Sequence, residues 1–328
     1  MTQREKSFSI WELLIKWETI LFIIFLLVII INSNLSPYFL DPVNILNTTF
    51  NFVEKSIIAL PMMFVIICGD IDISVASIIA LSSVFMGLAS SVGAGTFLLI
   101  IIGTITGTLC GFFNGILITK IKIPAIAVTI GTMSLFRGIA YVILGDKAFT
   151  KYPSSFGYIG QGYIGNTVIP FQLILFISLI SIFGFILHKT TFGRKIYAIG
   201  NSANGAKFSG VNVNNIRLII FTLTGLLSGV ASILLTSRIG STRPNIAYGW
   251  ELEIITIVVL GGISIMGGKG NIFGVIISIF LIGFLRFGMG LINVPGKVMN
   301  IIVGFLLIIA IMLPGLLGEK KAKIKSKI

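Results

Sequence analysis

Two acidic residues stand where an otherwise apolar chain gives them little water. The segment Gly69-Asp70-Ile71-Asp72-Ile73-Ser74-Val75-Ala76-Ser77 lies between two long apolar runs. An aspartate at mid-membrane costs about 2.5–3.5 kcal/mol even on the lenient insertion scale, so two of them demand a partner, water or an interface. The segment fits a break between half-helices bordering a polar path, since irregular backbone survives at membrane depth only against protein or a water-filled cavity. It also fits an ordinary helix-connecting turn at the cytoplasmic surface. Ser74 and Ser77 suit the capping of the next helix either way. Arg137, beside Thr132, Ser134 and Gly138, lies inside another apolar run and needs a carboxylate or carbonyl partner; Asp70 and Asp72 are the expected carboxylates. Asn114 and Thr129 are further in-run polar residues, of the kind that hydrogen-bond between helices. Glu54 and Lys55 are sequence neighbours and do not face each other on a helix, so the pattern gives them no role.

Catalytic patterns are missing. The run Gly261–Gly270 lacks both the glycine five positions before Gly268 and the hydroxyl residue after Lys269 that a phosphate-binding loop requires. There is no dinucleotide fingerprint, nucleophile elbow or histidine pair, His188 being single. Cys68 and Cys110 sit in apolar stretches without metal-ligand spacing. No catalytic residue, metal or cofactor is expected, and any ATP that drives this protein is hydrolysed by another subunit.

The elements that must position these residues are membrane helices. Of 328 residues, 55% are hydrophobic and 11% charged, against about 25% charged in soluble domains. The mean hydropathy of +1.06 leaves too little charge to cover a water-facing surface, so the solvent is mostly lipid. A window of about 20 apolar residues yields ten spans, over 13–31, 46–68, 73–91, 97–119, 123–144, 169–187, 217–237, 251–267, 272–291 and 298–314. The third and eighth are the weakest, interrupted by polar residues or glycines. The first is a retained span, because no small-residue cleavage site follows it. The expected fold class is all-α: one polytopic membrane helix bundle over 1–328, with an inner loop at 188–216.

Charge placement orients the bundle. The net charge of +13 collects in short loops and in Lys320, Lys321, Lys323, Lys325 and Lys327, without the aromatic-interleaved basic face of a nucleic-acid binder. With both termini cytoplasmic, the inner segments also hold Arg4, Lys6, Lys16, Lys120, Lys122, Lys189, Arg194, Lys195, Lys207, Arg217 and Lys269. The outer segments hold only Lys147, Lys151, Arg238, Arg243 and Lys297, as the positive-inside rule requires. Gly103, Gly107, Gly111 and Gly115 form a four-residue-spaced stripe, and Gly225 and Gly229 repeat the spacing. Lipid supplies no hydrophobic drive between helices, so such stripes mark close backbone packing.

The longest inner loop, 192–212, contains a short helix from Ser202 to Phe208, with Asn201 or Ser202 as N-cap and Gly210 as stop. A short, mildly amphipathic helix of this kind suits docking into the groove of a soluble partner; resting on the lipid surface suits it equally.

Several stretches resemble one family, the permeases of bacterial importers for ribose, xylose, rhamnose and related solutes, including the signalling sugar autoinducer-2. Gly69–Ser77 is similar to its Gly-Gly-Ile-Asp-Leu-Ser-Val-Gly-Ser signature. Ile123-Pro124-Ala125-Ile126-Ala127-Val128-Thr129-Ile130-Gly131-Thr132-Met133-Ser134, running on to Arg137-Gly138, resembles its Thr-Leu-Gly-Thr…Arg-Gly segment. Gly200–Val211 resembles the loop by which such permeases dock their ATPase. Pro244-Asn245, Glu251-Leu252-Glu253-Ile254 and Val258–Gly270 resemble its later glycine-rich block. Asp70 and Ala76 stand where glycines are usual and Arg286 where an amide is common; Asp70 and Leu291–Gly296 lean toward the rhamnose and autoinducer-2 branches.

The resemblance implies an ATP-driven importer of a monosaccharide or sugar-like solute in the cell membrane. It implies a second permease subunit, identical or homologous, a cytoplasmic ABC ATPase, and a periplasmic or lipoprotein solute-binding protein. Asp70, Asp72, Ser74, Asn114, Thr129 and Arg137 are then expected along the translocation path. Asn201, Ser202, Ala203, Ala206, Phe208, Ser209 and Gly210 are expected at the ATPase contact. An ion-gradient-driven secondary transporter shares the broken helix but leaves the docking loop unexplained.

Overall fold

The computed structural model describes residues 17–325, with side chains through Met312. Residues 13–16, which open the first expected span, lie outside it, as do Arg4, Lys6, Lys16 and Lys327. The described residues form thirteen helices and no strand beyond two isolated bridges, Phe149–Thr242 and Tyr163–Pro170. In chain order they are α1 (Trp17–Leu35), α2 (Pro42–Ile67), α3 (Val75–Ser91), α4 (Thr96–Thr119), α5 (Ala125–Leu144), α6 (Ser154–Gln161) and α7 (Phe171–Lys189). Then come α8 (Thr191–Asn201), α9 (Ala203–Phe208), α10 (Val213–Ile239), α11 (Trp250–Leu260), α12 (Ile272–Leu291) and α13 (Gly296–Lys325).

Local chemistry sets many of the ends. Asp41 caps α2, its Oδ1 accepting from the N–H of Val43 at 2.8 Å, and Pro42 takes the first helical position, where no N–H is needed. Asn212 and Asn271 cap α10 and α12, accepting from the N–H of Asn215 and Gly274, each at 3.1 Å. Gly240, in the left-handed region, stops α10.

Six of the helices (α1, α4, α5, α7, α10 and α12) are long and apolar enough to cross a membrane. α2 adds a seventh if its halves, Pro42–Asn51 and Val53–Ile67, count as one span bent by 57°. α3 and the Gly296–Met312 part of α13 are shorter apolar helices. The stretch expected as a span over 251–267 is helical only to Leu260. Its eleven residues reach about 16 Å, half the hydrocarbon core. The backbone then turns at Gly262, Gly267, Gly268 and Gly270, all at positive φ.

α2 is the central pillar, buried from Phe52 to Ile67 among α7, α10, α11 and α12. α1 packs on α12, and its Trp17 donates its indole N–H to the Leu260 carbonyl at 2.8 Å. The closest seam runs between α4 and α10. A Cβ on Gly107 would overlap the backbones of Gly225 and Gly229, and one on Gly225 would stand 2.6 Å from the Gly111 Cα. Gly103 and Gly115 meet Ile233 and Leu218 farther along. With lipid tails as apolar as leucine, this contact rests on dispersion between backbones that only glycine lets approach.

Gly107→Ala is therefore expected to cost more than about 3 kcal/mol, because the obstructing atoms are backbone and cannot rotate away. Gly131→Ala, where a Cβ meets nothing within 4 Å, should leave stability unchanged. Unfolding midpoints of the two detergent-solubilised variants check this.

Candidate functional site

The connection between α2 and α3 gathers most of the polar residues singled out in the sequence. Asp72 is fully enclosed; its Oδ1 accepts from the Ser74 N–H at 2.9 Å and the Ser74 hydroxyl at 2.6 Å. The Asn114 amide on α4 donates to Ser74 Oγ at 2.8 Å, and the Thr129 hydroxyl on α5 donates to the Ile71 carbonyl at 3.3 Å. A carboxylate, a hydroxyl and an amide thus hold the unwound residues against two neighbouring helices. Asp72 Oδ2 and Asn114 Oδ1 remain buried without a partner among the described residues. Ser77 is buried in the first turn of α3 and its hydroxyl has no partner either.

Asp70 faces the other way. Its Oδ2 lies 2.8 Å from Nε of Arg217, at the start of α10. It borders a cavity of about 640 Å³ shared with Lys122, Lys207, Asn212, Asn214 and Arg217. Arg137 does not join this group, contrary to the expected pairing with Asp70 or Asp72. Its Nη1 donates to the carbonyls of Pro244 and Ile246 at 2.7 and 2.8 Å, and its guanidinium lies 6.0 Å from the Tyr248 ring centroid. The reason is position: two helical turns separate Thr129 from Arg137 along α5, about 12 Å. The arginine therefore fastens the loop that leads into α11.

The inner loop contains one more helix than expected. Thr190 caps α8 by accepting from the Gly193 N–H at 3.3 Å. Gly193, Ile196 and Ile199 then form its buried face, while Arg194, Lys195 and Ala198 look outward. Ser202 caps α9, accepting from Gly205 N–H at 3.0 Å, and Gly210 at φ +81° ends the turn after Ser209. Within α9, which opens at Ala203, Ala206 is buried and Phe208 is 91% exposed.

The end of α8 rests on the end of α2. A Cβ on Gly200 would overlap both the Ile67 carbonyl and the Gly268 N–H, which are themselves bonded at 2.8 Å. The Asn201 amide donates to the Tyr197 carbonyl at 2.9 Å, and the Tyr197 hydroxyl to the Gly270 carbonyl at 2.7 Å. Burial raises the Tyr197 phenol above its ordinary pKa, so it stays a neutral donor. The last turns of α2 and α8 thus meet the irregular backbone after α11 at Ile67, Gly200 and Gly268.

A second charged group escaped the sequence pattern. Glu54, fully buried just past the bend in α2, takes Arg238 of α10 in a two-pronged contact: Nε to Oε1 at 2.7 Å and Nη2 to Oε2 at 3.0 Å. Its neighbour Lys55 reaches Glu253 of α11 at 2.9 Å, and Arg286 of α12 meets the same carboxylate at 3.0 Å. Adjacent residues on a helix point about 100° apart, so each charge finds a different helix. The available signal was that every in-run charge must be paired somewhere.

Removing one partner of a buried pair strands the other. Glu54→Gln is expected to lower stability by about 3 kcal/mol or more, and adding Arg238→Gln should restore part of the loss. Unfolding midpoints of the single and double variants measure this coupling.

The family described as "Branched-chain amino acid transport system / permease component" matches residues 44–311. The ribose import permease protein RbsC of Bacillus subtilis (strain 168) is 39% identical over 292 residues, covering 88% of this chain and 90% of that protein. RbsC of Haemophilus influenzae is 33% identical over 325 residues, covering 98% and 99%. The autoinducer 2 import system permease protein LsrD of Escherichia coli (strain K12) is 34% identical over 300 residues, covering 90% and 91%. No solved structure matches the chain with significance. The chain therefore belongs to this permease family: it is a multi-pass protein of the cell membrane and the transport component of an ABC importer, not an enzyme.

Proposed function

We propose that the chain pairs with a second permease subunit and, driven by a cytoplasmic ATPase and supplied by a solute-binding protein, imports a ribose-like or autoinducer-2-like sugar. The observation that carries this reading is the seating of the end of α8 on the end of α2, with α9 packed on α8 and presenting an exposed Phe208. An exposed aromatic on a short helix suits the groove of a soluble partner, and the relatives named for ribose and autoinducer 2 supply the solute class. The contact runs through Asn201, Ser202, Ala203, Phe208, Ser209 and Gly210, with the buried Ala206 anchoring α9 behind them.

In this reading the whole chain, 1–328, is one domain of ten spans with both termini cytoplasmic, α3, α11 together with the irregular backbone to Gly267, and the Gly296–Met312 part of α13 completing the count. The basic excess on the inner segments supports that orientation. Asp70, Asp72, Ser74, Asn114, Thr129 and Arg137 border the path. The cavity beside Asp70 and Arg217 is its cytoplasmic mouth. ATP binding draws the ATPases together and displaces α8, and Gly200 carries that displacement to Ile67 and the unwound residues beyond it. Each nucleotide state then favours one opening of the path, as a population shift requires.

Uptake of ribose into proteoliposomes tests the reading. It is expected to need ATP and the binding protein and to survive an uncoupler. Replacing Ala203–Ser209 with a glycine-serine linker should abolish retention of the ATPase on the immobilised permease. Accumulation by the permease alone on an ion gradient, or unchanged ATPase retention, overturns it.

A further inference from the structure

Charge balances on one side of α2 and fails to balance on the other. Glu54 and Arg238 meet one to one. Glu253 serves two cations, its Oε2 2.9 Å from Lys55 Nζ and its Oε1 3.0 Å from Arg286 Nε. The three side chains are 9% (Lys55), 8% (Glu253) and 22% (Arg286) exposed. A surplus positive charge therefore sits among membrane-embedded helices, where an uncompensated ion is heavily penalised. Lys55 also lies 4.9 Å from the Trp250 ring centroid; the ring's quadrupole attracts the ammonium but carries no net charge to cancel it.

Beside these groups opens a cavity of about 340 Å³ between α2, α12 and α13. Its polar lining is Thr48, Asn51, Lys55 and Arg286, with no carboxylate among the described residues. The lining is biased toward donors. Asn51 spends its carbonyl oxygen on Arg238 Nη1 at 3.4 Å, which leaves its amide N–H groups to donate. Arg286 Nε lies 3.0 Å from Glu253 Oε1 as an ion pair without hydrogen-bond alignment, and Nη2 donates to Asn300 Oδ1 at 2.9 Å, which leaves Nε and Nη1 without a hydrogen-bond acceptor among the described residues. Phe52, Phe287, Leu291 and Met299 form the apolar remainder.

We propose that this cavity binds a phosphate oxyanion, supplied by the headgroup of an anionic phospholipid or by inorganic phosphate. The surplus charge provides the attraction, and charge-assisted bonds from Lys55 and Arg286 provide the geometry. The apolar wall suits the glycerol side of a lipid.

The full-length permease in nanodiscs tests this. One set contains phosphatidylcholine alone, a second adds phosphatidylglycerol, and a third keeps phosphatidylcholine and adds inorganic phosphate against chloride at matched ionic strength. The readouts are the unfolding midpoint and, for phosphatidylglycerol, lipid retained in native mass spectrometry. The wild type should gain stability with phosphatidylglycerol if the source is lipid, or with phosphate if it is the free ion. Arg286→Gln and Lys55→Met each leave a balanced one-to-one pair by a different route. Both should lose the response, with retention falling at least about tenfold, the loss expected for one charged hydrogen bond. A wild type indifferent to both additions, as a neutral Lys55 amine would make it, overturns the proposal. So does an undiminished response in either variant.

Discussion

Lipid offers no hydrogen bond to a free peptide group, so wherever this chain leaves the helix within the bundle, other protein must complete its backbone. The structure meets that constraint by bringing interrupted segments together. Gly268 donates its N–H to the Ile67 carbonyl that the end of α2 releases. The residues after α2 turn back on it, with Gly69 bonded to Ile66 and Asp70 to Val65. After α11, Ser264 bonds to Lys269 and Gly267 to Ser264. Neither break is complete without the other, and α8 is wedged where they join.

That mutual completion gives the permease its mechanical layout. A rigid, helix-packed half made by α4 and α10 stands beside a region whose backbone has few bonds of its own to lose. Asp70 ties the break to the start of α10 through Arg217, and Thr129 ties it to α5 through Ile71. The end of α8 thus meets α2 at Ile67, and the connection beyond Ile67 is tied to α10 at Asp70 and to α5 at Ile71. Packed elements of this kind switch between discrete arrangements more readily than they deform.

Much of this was legible in the chain, because apolar run length reports directly on membrane helices. The glycine spacing on α4 announced a close seam, although nothing local named Gly225 and Gly229 as the facing pair. Glu54 and Lys55 were visible but unreadable, since their partners Arg238 and Glu253 lie 184 and 198 positions away on two other helices. Arg137 was correctly seen to need a carbonyl or a carboxylate; which one depended on how far along α5 it sits from the α2–α3 connection. The helix α8 was missed because its amphipathic face, Gly193, Ile196 and Ile199, is short and flanked by glycine, which reads locally as a loop. In each case the missing information was the pairing of distant segments, which periodicity does not encode.

The central claim is that the stroke of the ATPase passes through the Gly200–Ile67–Gly268 contact. The direct measurement is the number of solute molecules imported per ATP hydrolysed by the reconstituted importer carrying Gly200→Ala, whose added methyl group pushes the three backbones apart. With the ATPase still bound and hydrolysing, the ratio should fall about tenfold, a shift of about 1.4 kcal/mol between the barriers to coupled and uncoupled hydrolysis. An assembled importer with an unchanged ratio would contradict the account.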